Sequence, residues 1–482
     1  MTAATVVVLA AAVALAAWAW RRADTPTGFW AASRSAGAVL AGLGGTAAGL
    51  SAFVFVGGPG YFAAVGAASL WIVLSAPLTG ALQCWAIGEP VVELVRRHRC
   101  LTVPDLLAVR FGEGWPRGLA AGGVIAGGIA TLGVQVKGVA VVGEILLGVP
   151  GWQVAVVAVT ATAIYTTAGG MRAGLLAEAL QGAVMAGAAL WIAGGTLARA
   201  GGPAAAARTV AAHRPDLLDA WGPAGPTTAL GLFLLFALGT CAQPHYVQKF
   251  LFLRDREALR WMPLVMTVAL AAVLTVWVGV GLGGTALWLD GDLELHAPDE
   301  LTARVLGSAG GPLLAVAAVA VVAAVMSTAA SLLNLVAAAV TRDLPRAVGR
   351  PPGEGLKAAR VATVVAAAAA VAVGLGSERS VALLGVLGWG TFTAALLPSL
   401  VLGLSWQRAS RRGAVAALVA GPAVQLALEW GRLAGWARPV WEPGLAGAAV
   451  GTLLLVGLSC VGSARSGGNA TGQNRPVSVE SG

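Results

Sequence analysis

The chain has 482 residues, 57% of them apolar and only 11% charged, with a mean hydropathy of +0.80. Soluble domains carry about 25% charged residues, so a water-soluble globule is excluded and an all-α polytopic membrane protein is expected. The net charge of +9 does not point to nucleic acid, because the basic residues fall in short segments between apolar runs.

Thirteen spans are predicted, at about 2–20, 36–60, 62–88, 117–148, 152–171, 174–198, 227–247, 262–288, 312–341, 357–376, 380–404, 412–433 and 442–462. No positive charge precedes the first run and Arg21-Arg22 follows it, so it is expected to span with its N-terminus outside rather than to serve as a leader. Pro77 and Gly80 predict a kink in 62–88. Thr102-Val103-Pro104-Asp105 is a helix start, with a hydroxyl cap, a proline and a first-turn carboxylate, and predicts an interfacial helix over about 103–111. The loop 289–311 is acidic, and the Ser/Gly/Asn-rich tail 463–482 is expected to be disordered. With these spans, 23 of the 31 Lys and Arg residues fall on the inner side, which places the C-terminus in the cytoplasm. Lys249 and Arg117 are counted among those inner loop charges.

Four cysteines lack metal or disulfide spacing, and the four histidines fall in loops or at span ends. No catalytic constellation is visible, so an enzyme is not expected.

Two spans are built to unwind. In 36–60, Gly42, Gly44, Gly45 and Gly49 each weaken a helix by roughly 1 kcal/mol against Ala, and Pro59 ends it. In 227–247, Gly239, Thr240 and Pro244 interrupt the run. Paired interruptions in corresponding places point to a transporter site, although glycine-lined packing gives the same pattern. The segment AAVMSTAASLLN, 323–334, puts Ser327 and Thr328 one turn after Ala324. Three neutral oxygens on one helix face would suit sodium, a hard cation. The alternative is back-bonding of the hydroxyls within their own helix. Lys137 is expected near mid-membrane. It either faces a cavity and binds a carboxylate solute, or reaches a backbone carbonyl or water and holds structure.

Six segments in order resemble the sodium/solute symporter family: GFWAASRSAG (28–37), LTVPDLLAVRFG (101–112), AIYTTAGGMRAGLLAEALQG (163–182), AQPHYVQKF (242–250), AAVMSTAASLLNLVAAAVTRDL (323–344) and GWGTFTAALLPSLVLGLSWQRASRRGAVAALVAG (388–421). The resemblance implies a LeuT-type fold of two inverted five-helix repeats with flanking helices. The organisation expected is a first helix and loop at 1–35, a first repeat at 36–200, an outer loop at 201–226, a second repeat at 227–404, two C-terminal helices within 405–462, and the tail.

The resemblance also implies a sodium site on the carbonyls of Ala47, Leu50 and Ala324 and the hydroxyls of Ser327 and Thr328. Ser51, Lys137, Phe236, Thr240 and Pro244 become candidates for the solute cavity. Glu178 stands where the family carries an aspartate and would guide sodium out. Gly49 stands where many members carry an aspartate, which argues against a second sodium. The Trp and Tyr that proline carriers place before Gln-Pro-His are Phe236 and Thr240 here, so proline is a poor fit. The implied function is sodium-coupled uptake of a small organic solute, with a carboxylate as candidate, across a bacterial cell membrane. Sodium is the only ion implied and no cofactor is. A proton-coupled or sodium-independent exchanger and a non-transporting sensor are the alternatives.

Overall fold

The structure is a computed structural model that describes residues 36–466 except 224, 353–355 and 438, and describes the backbone alone at 165, 167–174, 311–313, 315–319, 356 and 462–466. The first span, the rest of the 1–35 segment and residues 467–482 of the tail lie outside the described residues.

Among the described residues the chain is helical, and ten helices are long and apolar enough to cross a membrane. Two shorter apolar helices, Ala38–Gly49 and Gly151–Ile164, accompany them. In chain order the main helices are α1 Ala38–Gly49, α2 Gly58–Val65, α3 (residues 70–98), α4 Val103–Phe111, α5 Trp115–Leu147, α6 Gly151–Arg199, α7 Pro203–His213 and α8 Gly225–Gly239. They continue as α9 Pro244–Leu251, α10 Arg256–Leu289, α11 Leu301–Ala309, α12 Gly311–Ala338, α13 Leu356–Gly376, α14 Val381–Ser405, α15 Arg411–Leu433 and α16 Pro443–Ser466. The last helix runs past the expected end at 462 to Ser466, four residues into the segment expected to be a disordered tail.

α1 and α2 are the two halves of one interrupted span, joined through a π-helical turn at Phe53–Gly57. Gly66 then turns the chain at φ +67°, where a Cβ would sit 1.9 Å from the Leu217 carbonyl oxygen, so only glycine fits. The α-helical pattern of α3 is interrupted at Ser75, two residues before Pro77, where the hydroxyl back-bonds to Ile72 O at 2.7 Å.

α6 is one unbroken helical run where two spans are expected. A straight helix of its length would part its ends by about 70 Å. Yet Gly151 closely follows Leu146, a Cβ on Gly307 would meet Leu146 at 3.6 Å, and Arg199 bonds Ser308 at 2.9 Å. Both ends therefore lie at the same end of the bundle, and the run doubles back on itself.

α12 is the most enclosed of the candidate spans, whereas α13, α15 and α16 leave much of their apolar surface facing outward. α12 packs on α1, α5, α6 and α13. Where the starts of α4 and α5 meet the turn after α12, an ionic network is buried around Arg117, Asp105 and Asp343. Arg117 pairs with Asp105, with Glu113 and with Asp343, the last at 3.1 Å. Arg342 reaches Asp105 at 2.6 Å, and Thr102 donates to Asp343 at 3.0 Å. Thr102 and Asp105 form the expected capping box of α4. Most residues of α4 are buried against the rest of the bundle, where Asp105 has its partners. Arg117 is likewise buried and is not a loop charge.

Candidate functional site

The site is built where α1 stops. Leu50 leaves helical geometry at φ −94°, ψ 108°, so the last carbonyls of α1 lose their intrahelical donors. Such groups need partners in a membrane interior. The Ser327 hydroxyl lies 2.9 Å from Ala47 O and 3.0 Å from Ala324 O, and the Thr328 hydroxyl lies 3.4 Å from Ala47 O. All four residues are buried. A hard cation with bonds of ~2.4 Å holds neighbouring oxygens about 3.4 Å apart, so small shifts would bring these oxygens around one ion. Ser327 also back-bonds within its own helix, so the two arrangements expected for this hydroxyl, facing the broken span and bonding its own turn, coexist in one geometry. Leu50 itself sits at the break.

The groups that hold both breaks open carry no local signal in the sequence. Ala52 N–H, just beyond the first break, donates to Gln135 Oε1 of α5 at 3.0 Å. At the second break α8 gives way to a 3-10 turn, Thr240–Ala242, and extended Gln243 before α9 starts at Pro244. Gln83 of α3 donates to Thr240 O at 3.0 Å and to its hydroxyl at 2.6 Å. Gln243 donates to Gly239 O at 3.0 Å and Trp389 O at 3.3 Å. A glutamine amide satisfies unwound backbone without bringing charge into the membrane interior.

Between the breaks lies a small cavity of about 20 Å³, lined by Ser51, Phe53, Thr131, Phe236, His245 and Trp389 among others, and it touches Thr328. That volume suits a water rather than an organic solute, so the site is closed in this structure. Phe236 stacks between Phe53 at 5.4 Å and Trp389 at 4.8 Å. Thr131 Oγ1, His245 Nδ1 and Trp389 Nε1 are buried there without a hydrogen-bond partner. His245 is thus not at a span end, as expected from sequence, but inside, because α9 continues the broken span inward. Tyr246 is beside it, and its hydroxyl fills the space that a side chain at Gly49 would take.

Of the cavity candidates, Ser51 and Phe236 line this space. Thr240 is engaged by Gln83, and Pro244 serves as the first residue of α9. Lys137 lies elsewhere: its ammonium donates to Ser377 O at 2.7 Å and to Arg379 O, in the connection between α13 and α14. An ammonium seeks oxygens, and the carbonyls at a helix C-terminus supply them. Lys137 is therefore corrected from a cavity residue to a tie between spans. Glu178 is buried and pairs with Lys249, and it also accepts from the Ser331 hydroxyl. Lys249 is correspondingly corrected from a loop charge to a buried one.

A sequence profile of the Sodium:solute symporter family matches residues 29–421. The high-affinity proline transporter of Bacillus subtilis is 26% identical over 424 residues, covering 84% of this chain and 87% of that one. The sodium/pantothenate symporter of Escherichia coli is 26% identical over 420 residues, covering 84% and 86%. Among solved structures, a Na+-coupled sialic acid symporter in a substrate-bound outward-open state shares the fold, with a TM-score of 0.78 over 95% of this chain and 97% of that one at 16% identity.

Proposed function

The chain belongs to the sodium:solute symporter family, and from that premise we propose that it carries a small organic solute into a bacterial cell with sodium, by alternating access around the cavity between its two breaks. It is a membrane transporter and not an enzyme, as its relatives are. The observation that carries the finer reading is the contact of the Ser327 and Thr328 hydroxyls with the Ala47 carbonyl at the end of α1. Sodium held by Ala47, Leu50, Ala324, Ser327 and Thr328 would bridge the broken span to α12. Bound there, it favours the state in which the two are joined, and its loss lets them part. That is coupling by differential affinity between two states.

The end of the bundle that holds the Arg117 network is the cytoplasmic one on this reading, which puts the C-terminus inside. The inverted repeats would be 36–200 and 227–404, each beginning with a broken span. The cavity offers aromatic faces, hydroxyls and an imidazole, with no charged side chain among its lining residues. With Lys137 bound to backbone carbonyls, nothing in the lining favours a carboxylate over a neutral group.

The test is uptake into proteoliposomes of radiolabelled amino acids, carboxylates, vitamins and sugars, each under an imposed sodium or proton gradient. Accumulation of at least one solute under the sodium gradient, abolished by Ser327→Ala with Thr328→Ala, is expected. Uptake that follows the proton gradient and ignores sodium would contradict the reading.

A further inference from the structure

Lys249 lies inside the bundle, 1% exposed. Its ammonium donates to Glu178 Oε2 and stands 3.4 Å from Ser331 Oγ, and the Ser331 hydroxyl in turn donates to Glu178 Oε1. Ser331 follows Thr328 by three residues and Ser327 by four, so it shares their helix face one turn nearer the C-terminus of α12. α1 closes the third side: a Cβ on Gly45 would lie 3.7 Å from Lys249 Cγ, and one on Gly44 would lie 3.7 Å from Glu178 Oε2. The ammonium thus occupies a cage between α1, α6 and α12 whose oxygens are those of the Glu178 carboxylate and the Ser331 hydroxyl. Two of those helices also form the candidate sodium site, about 5–6 Å away.

An ammonium and an alkali ion make the same demand on such a cage: one positive charge and a shell of hard oxygens. A buried carboxylate makes the reciprocal demand, since unpaired it is costly. We propose that Lys249 is a tethered cation that holds the place of a second ion beside Glu178 and Ser331, so that the protein binds a single sodium. Its tether is α9, the inner half of the second broken span. Movement of that half would draw the ammonium away from Glu178 without releasing it to solution. This assignment rests on the symport reading and adds the number of ions to it.

The test is 22Na+ binding to the purified protein by scintillation proximity. Wild type is expected to bind one sodium. Lys249→Met is expected to bind two, the second surviving addition of Ser327→Ala and Thr328→Ala. Lys249→Met with Glu178→Gln is expected to return to one. Two sodium ions in wild type, or one in Lys249→Met, would overturn the assignment while leaving symport standing. No sodium bound by wild type would overturn the symport reading itself. Where Lys249→Met does not fold in sodium-free buffer, rescue by NaCl but not choline chloride reports the same second site, and rescue by neither salt overturns it.

Discussion

A Cβ built on Gly49 would lie 1.8 Å from the Tyr246 hydroxyl. The phenol therefore fills the place where many members of the family carry an aspartate. Gly49→Asp should lower the thermal midpoint, because overpacking costs about 1–3 kcal/mol and the new carboxylate has no partner there. Gly49→Asp with Tyr246→Ala should recover much of the loss. An unchanged midpoint for Gly49→Asp alone would show that Tyr246 does not depend on the missing side chain. The hydroxyl pair Ser327-Thr328 stands out in sequence because few polar groups occur in such a small-residue, apolar run. Lys249 does not stand out, since it sits a few residues from Arg254 and Arg256 and looks like one more inner charge. Its partner Glu178 is 71 residues away, and only the closed fold brings them together. His245, four residues before Lys249, is hidden in the sequence for the same reason. Lys137 does stand out within its apolar run, but the choice between cavity and carbonyl depends on the distant connection around Ser377 and Arg379.

At the scale of elements, both interruptions are legible because glycine and proline act locally on the helix. The groups that hold them open are not, because Gln135 and Gln83 reach across from other helices. Gln135→Ala should cost about 1–3 kcal/mol by leaving the Ala52 N–H without its acceptor. Ala52 lies two residues from Leu50, so the same change should also raise the sodium concentration needed for half-maximal thermal stabilisation. A sodium titration of the melting midpoint reads both effects. An unaltered titration would mean that the first break keeps its shape without this amide. The doubling back of α6 has a simpler cause. Its ends are fixed by Leu146 and by the Arg199 contact with Ser308, so two crossings follow.

At the scale of the whole molecule, buried Arg117, Asp105 and Asp343 form an ionic network at one end of the bundle, extended by half-buried Arg342 and exposed Glu113. Burial works to raise the Asp105 pKa, but Arg342 and Arg117, with the Leu101 N–H, outweigh it and hold the carboxyl below its usual range. A depressed carboxylate pKa adds stability above the unfolded value, near pH 4, that is lost as pH falls through the lower folded value. Asp105→Asn should therefore lower the melting midpoint at neutral pH, and its gap from wild type should shrink below about pH 4. A gap constant into stronger acid would assign the loss to packing instead. The pattern of inner charges is visible in sequence, but their closure into a network needs the long-range approach of α4, α5 and the turn after α12. The central claim is that sodium joins the broken first span to α12 through uncharged oxygens. Its most direct test is the melting midpoint of the purified protein in NaCl against choline chloride. Wild type should gain stability with sodium as RT ln(1 + [Na+]/Kd), and Ser327→Ala with Thr328→Ala should abolish the gain. A full sodium response in that double variant would contradict the account.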